Sequence, residues 1–259
     1  MTEKIDRKII FILSMLLFLI GTSDFAQNKK DTLKVLFVGN SYTHVNNLPQ
    51  ITSILSDGVK TKLITKSSTV GGGKLKEHWL GERKLKTKEI IKNGNFDVVV
   101  LQGFSMSTIE FPDTLTKYAG LFCDYIKKNG AKPYLYLTWA RKKVPQYQET
   151  IDSVYYSIAK ENNVKVVPVG KAWQLAQQLR PDIQLFQNEG SHPSKLGTLL
   201  TASVFVAALT GELPDALPRS FRIKDINGEP VLLMYFWPEN KLDLVYLKKI
   251  VEEVVLNKK

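Results

Sequence analysis

Leu33-Lys34-Val35-Leu36-Phe37-Val38-Gly39-Asn40-Ser41-Tyr42-Thr43 is the stretch whose reading decides the fold. Its apolar run of β-branched and aromatic residues stops at Gly39, which fits a buried strand ending in a tight turn. Ser41 then stands just beyond a strand's carboxyl end, the place where open α/β sheets bind their ligands. Read alone, the stretch needs no more than a strand-to-helix turn capped by Asn40 and Ser41. Whether the serine does chemistry depends on the residues that other loops bring to it.

Outward from this strand, Leu48 to Val59 shows helical spacing with Pro49 in its first turn. A second strand is expected at about Lys62 to Thr65, followed by the glycine loop Val70-Gly71-Gly72-Gly73 and a partly helical stretch from Leu75 to Asn93. Phe96 to Leu101 is a continuous apolar run broken only by Asp97, as a parallel strand covered on both faces requires. A helix over Thr114 to Asn129, a strand over Ala131 to Trp139, a helix over Pro145 to Asn162 and a strand over Val164 to Val169 complete a β-α alternation. This pattern predicts an α/β fold: a three-layer, doubly wound, parallel five-stranded sheet of the flavodoxin-like kind. Beyond it come a short helix at Ala172 to Leu179, irregular chain from Pro181 to Pro193, and a long helix from Ser194 to Thr210 closed by Gly211. A hairpin around Asn227-Gly228 and an amphipathic helix through Leu244, Leu247, Ile250, Val251, Val254 and Val255 form a C-terminal elaboration.

Lys4, Arg7 and Lys8 precede an apolar run from Ile9 to Ile20, and Gly21, Ser23 and Ala26 come after it. That order of charged, apolar and small residues is that of a secretory signal peptide over residues 1–26, with a mature chain starting near Gln27; an uncleaved N-terminal anchor is the competing reading. Residues 27–219 are then expected to form the main domain and 220–259 the elaboration packed on it. An exported protein is expected, periplasmic, cell-surface or secreted, with no stable membrane span once the leader is removed. Cys123 is the only cysteine, so no intramolecular disulfide can form and stability has to come from the core. The net charge of +11 survives removal of residues 1–26, whose three cations balance three anions. The lysines are scattered, without an aromatic-interleaved stripe or a helix-turn-helix pattern, which argues against nucleic acid as partner.

His192 lies in Glu189-Gly190-Ser191-His192-Pro193-Ser194, a polar loop before the long helix. A carboxylate three residues before a histidine can accept from Nδ1, fix the tautomer and leave Nε2 as a base toward Ser41. Acyl transfer also needs donors for a developing oxyanion, each worth roughly 3 kcal/mol of barrier. Candidates are the Ser41 N–H, a glycine N–H from Gly71 to Gly73, and the side chain of Gln102 or Ser105. With strand order 2-1-3-4-5 these loops ring one crevice. A Gly-x-Ser-x-Gly elbow and a Walker loop are both missing. His44, His78 and His192 lack metal-ligand spacing, so neither metal nor cofactor is expected. His44 could line the pocket or fill a turn, His78 and Trp79 could wall the pocket or pack, and Trp139 could stack on a sugar or belong to the core.

The order of these motifs resembles the SGNH/GDSL hydrolase superfamily over roughly Lys34 to Gly211. Gly39-Asn40-Ser41 resembles its nucleophile block, with Asn40 where aspartate is commoner. The glycines after strand two resemble its second block, and Glu189-Gly190-Ser191-His192 its closing Asp-x-x-His block with a longer acid. Gly103-Phe104-Ser105 departs from the third block, Gly-x-Asn, by placing serine where asparagine is expected. The resemblance implies an exported serine esterase: Ser41 as nucleophile, His192 as base and acid, Glu189 as orienter, and Ser41, Gly72 and Gln102 as oxyanion donors. Asn40, Tyr42, His44, Ser105 and Trp139 are the expected substrate-binding residues. The expected substrate is an acylated small molecule or carbohydrate, with acetyl the expected acyl group. Lipid or thioester hydrolysis, and glycan binding without turnover on the same fold, are the alternative readings.

Overall fold

The computed structural model describes residues 31–224, 227–236 and 241–257. The expected leader at residues 1–26 and the possible start at Gln27 lie outside them. Residues 35–38 of the opening stretch are buried to within 1% of completely and form the middle of strand β1 (Thr32–Gly39). The pleat sends Val35 and Phe37 to one face of the sheet and Leu36 and Val38 to the other. Strand β3 (Val98–Leu101) divides its side chains in the same way, which is why both strands read as unbroken apolar runs.

After β1 come a single turn, α1 (Ser41–His44), the helix α2 (Leu48–Leu55) and strand β2 (Lys62–Thr69). Helices α3 (Leu75–Leu80) and α4 (Thr87–Asn93) lead to β3. Then follow α5 (Ser107–Glu110), α6 (Pro112–Lys128), β4 (Lys132–Tyr136), α7 (Gln148–Asn162), β5 (Lys165–Val167), α8 (Val169–Leu179) and α9 (Lys195–Thr210). The five strands are parallel in the order β2-β1-β3-β4-β5, so the chain reverses direction across the sheet between β1 and β3. One face is covered by α2, α8 and α9, the other by α3, α4, α6 and α7. Helix α6 shows why: Leu115, Ala119, Phe122, Cys123 and Ile126 make one apolar stripe, and all five are buried.

Two boundaries differ from the sequence pattern. Strand β2 continues to Thr69 because its pairing with β1 holds through Gly39 opposite Thr69. Its last residues are polar since β2 is an edge strand, and the apolar pattern alone ends too early. Strand β5 stops at Val167 because Pro168 has no N–H to extend a ladder; it stands at the N-cap of α8, which begins at Val169.

At the C-terminal end, β6 (Ser220–Lys224) and β7 (Pro230–Tyr235) pair antiparallel as the hairpin expected there, with Gly228 at φ +86°. Helix α10 (Lys241–Val251) buries Leu244, Leu247, Ile250 and Val251 in the same apolar cluster as α9. Among the described residues no helix is long and apolar enough to cross a membrane.

Candidate active site

The nucleophile turn is held by a buried polar network. The Asn40 N–H donates to Gln102 Oε1 at 3.0 Å, and Gln102 Nε2 donates back to Asn40 Oδ1 at 3.0 Å. Asn40 Oδ1 also caps α1 by accepting the Tyr42 N–H at 3.1 Å, and Thr43 Oγ1 donates to Gln102 Oε1 at 2.9 Å. Gly39 is glycine because an added Cβ would fall 2.4 Å from Gln102 Oε1. Behind the turn, burial holds the His78 ring below the usual histidine range. Neutral His78 donates Nε2–H to Gly39 O at 2.9 Å and accepts from Thr87 Oγ1 at 2.8 Å.

These bonds correct two expectations. Gln102 cannot serve as an oxyanion donor, because its amide hydrogens go to Asn40 Oδ1 and Gly103 O and its residue is fully buried. Asn40 is 2% exposed and its Nδ2 donates to Gly73 O at 2.9 Å, so it ties the glycine turn to the nucleophile turn instead of meeting substrate. The tie has a geometric use. Gly72, at φ +66°, sits in that turn next to the end of β1, with no partner for its N–H among the described residues. The Ser41 N–H, first in α1, likewise has none.

Ser41 and His192 meet from opposite ends of the sequence. Ser41 Oγ lies 2.9 Å from His192 Nε2, and His192 Nδ1 lies 2.8 Å from Glu189 Oε1, which also accepts the His192 N–H at 2.6 Å. With Nδ1–H donating to the carboxylate, the Nε2 lone pair faces the serine hydroxyl. Partial desolvation raises the Glu189 carboxyl, and the bonds from the His192 backbone and ring outweigh it, so the group stays below the usual carboxylate range. The longer acid reaches His192 because the loop is wound tightly. Gly190 sits at φ +77°, its N–H donates to Gln187 O at 2.9 Å, and the Gln187 N–H donates to His192 O at 2.8 Å.

An aromatic column supports the base. Tyr42 stacks on Trp139 with ring centroids 4.6 Å apart, and Trp139 stacks on Trp173 at 3.8 Å. The Tyr42 ring also meets His192 edge-on at 5.7 Å, and its hydroxyl lies 2.7 Å from Ser191 Oγ. Trp139 is 1% exposed and donates Nε1–H to Ser191 O at 3.0 Å. It therefore does not stack on a sugar: it belongs to the wall that fixes the histidine loop. Tyr42 is 3% exposed and acts in the same wall, not as a substrate contact. Burial raises its hydroxyl above the usual tyrosine range.

His44 is exposed beside the site. Partial desolvation, and the repulsion its protonated ring would meet from a protonated His192, hold it below the usual histidine range. Ser105, where the resemblance expects asparagine, is 7% exposed, accepts from Arg141 Nη2 at 2.8 Å and lies close enough to the Tyr42 hydroxyl to interact with it. Arg141, Ser191 and Trp173 escaped the sequence reading. Arg141 alone left a signal, as a polar residue just past the fourth strand's carboxyl end. Among the described residues no cluster of three or more histidine, cysteine or carboxylate side chains could hold a metal.

No family model matches the sequence, and no curated protein is similar to it. Solved structures are. A DUF4886 family protein from Bacteroides uniformis aligns with TM-score 0.65 and 19% identity over 88% of this chain and 94% of its own. A candidate SGNH hydrolase from Slackia heliotrinireducens aligns with TM-score 0.58 and 21% identity over 69% of this chain and all of its own. The chain has the SGNH hydrolase fold. An acetyl xylan esterase aligns on it with TM-score 0.54 and 19% identity, over 68% of this chain and all of its own. On the SGNH hydrolase fold, Ser41 stands at the end of β1 and His192 just before the last helix over the sheet.

Proposed function

We propose that the protein is an exported serine esterase that removes acyl groups, acetyl in the first instance, from carbohydrate. The observation that carries the reading is the line from Glu189 Oε1 through the His192 ring to Ser41 Oγ, with contacts of 2.8 and 2.9 Å. Ser41 Oγ attacks the ester carbonyl as His192 Nε2 takes its proton. The tetrahedral oxyanion is received by the N–H groups of Ser41 and Gly72, with the Ser105 hydroxyl as third donor in place of Gln102. Collapse expels the sugar hydroxyl, protonated by His192. Water then enters by the same base and releases the carboxylic acid. Glu189 stays ionised throughout and stabilises the imidazolium.

Support for the substrate class comes from the fold shared with an acetyl xylan esterase and from the leader-like order of residues 1–26. The test is steady-state hydrolysis of 4-nitrophenyl acetate and of acetylated oligosaccharides. Wild type should turn over both, and Ser41→Ala should lose at least about 10³-fold in kcat/KM. Glycan binding that survives Ser41→Ala, with no ester cleaved by wild type, would select the non-catalytic reading instead.

A further inference from the structure

We infer that the substrate carries a carboxylate next to the acylated position, and that Arg141 binds it. This deepens the esterase reading and rests on it only for the identity of the leaving acyl group. Arg141 lies just past β4, and its Nη2 donates to Ser105 Oγ at 2.8 Å, at the third-block position beside the nucleophile turn. It is also close enough to the Tyr42 hydroxyl to interact with it, and Tyr42 abuts His192. The guanidinium thus stands against Ser105 and Tyr42, which flank the nucleophile turn and the histidine.

A guanidinium has five N–H donors. Ser105 takes one of Arg141's; its Nε is shielded from solvent and finds no acceptor among the described residues. No carboxylate pairs with it among those residues either, while Arg180 has two. What Arg141 does contact is the Phe104 ring, with Cζ 5.9 Å from the centroid, and Lys74 Nζ approaches the same ring at 5.8 Å. An aromatic ring positions a cation without neutralising it. On its other side Arg141 lines a cleft of about 220 Å³ with Lys142, Gln174, Gln177, Gln178 and Phe186. That lining holds two cations, several amides suited to sugar hydroxyls, and no acid.

A cation hydrogen-bonded to Ser105 on one side and lining a positively charged, amide-lined cleft of monosaccharide size on the other fits an acylated uronic acid. The planar guanidinium fork matches a carboxylate. Arg141 is only partly buried, and a substrate carboxylate would supply acceptors to the Nη hydrogens that Ser105 leaves unused.

The test compares acetate release from an O-acetylated methyl galacturonoside with release from its uronate methyl ester, which differ in that charge and one methyl group. Wild type should favour the free acid in kcat/KM by on the order of 10-fold or more at low salt. The ratio should fall towards one in Arg141→Gln, remain partial in Arg141→Lys, shrink as salt rises, and persist in the remote surface variant Lys128→Gln. Equal rates in wild type, a ratio that survives Arg141→Gln in a protein folded by circular dichroism, or better turnover of an acetylated sugar sulfate would each overturn the assignment. Should no ester be cleaved at all, the catalytic reading fails, and calorimetric titration of galacturonate against its methyl ester decides this one separately. Binding of the acid alone, lost in Arg141→Gln, sustains it; equal binding of both overturns it.

Discussion

Glu189 carries one methylene more than an aspartate would, and the loop absorbs the difference through the left-handed Gly190. A single carboxylate oxygen then meets both the backbone and the ring of His192. Glu189→Gln keeps the length and removes the charge, so kcat should drop by about 10²–10⁴ with little change in KM, measured with 4-nitrophenyl acetate. Because the folded-state carboxyl lies below its unfolded value, its contribution to stability is complete above the unfolded value and lost as pH falls through the folded one. Wild type should therefore keep this contribution through mildly acidic pH, and the variant should lack the corresponding acid limb in a denaturation series. The meeting of Ser41, His192 and Glu189 was legible because each stands at a recognisable place relative to a strand end or a helix start. Gln102 and Trp139 were not, because their roles depend on partners far along the chain. Gln102 meets Asn40 across 62 residues and Trp139 meets Ser191 across 52, and one sequence does not print such pairings.

At the scale of elements, α9 is what brings His192 to the sheet. Ser194 caps it by accepting the Gly197 N–H at 3.1 Å, and Gly197 lets the helix press against its neighbours. A Cβ there would fall 2.2 Å from Leu185 O and 2.8 Å from the Trp173 ring. Gly197→Ala should cost about 1–3 kcal/mol in denaturant unfolding and lower kcat as well, since the same helix start carries the histidine loop. Wild-type stability with full activity would show that the loop is held independently of α9. The strands β1 and β3 and helix α6 were legible because burial on one or both faces writes itself into hydrophobic pattern. The last residues of β2 were not, because an edge strand with a solvated face is specified by its pairing with β1 more than by its composition.

Among the described residues the parallel sheet separates two apolar clusters, and Cys123 sits in the one under α6. Burial pushes its thiol up to about 12. An aromatic disulfide reagent should find no reactive thiol in native protein and one per chain in denaturant, with a native rate that reports opening of this cluster. Strand order and crevice position followed from the β-α alternation, which leaves few topologies open. The excess of positive charge pointed in sequence to anionic glycans or an anionic envelope without naming a residue; Arg141 and Lys142 place two of these cations in one cleft. Ser41 and His192 meet from positions 151 residues apart. Whether they act as one nucleophile is read by treating the intact protein with a fluorophosphonate and mapping the adduct by peptide mass spectrometry. One adduct per chain on Ser41, formed at least about 10²-fold more slowly in His192→Ala, is the predicted result. No adduct, or one on another residue, would contradict it.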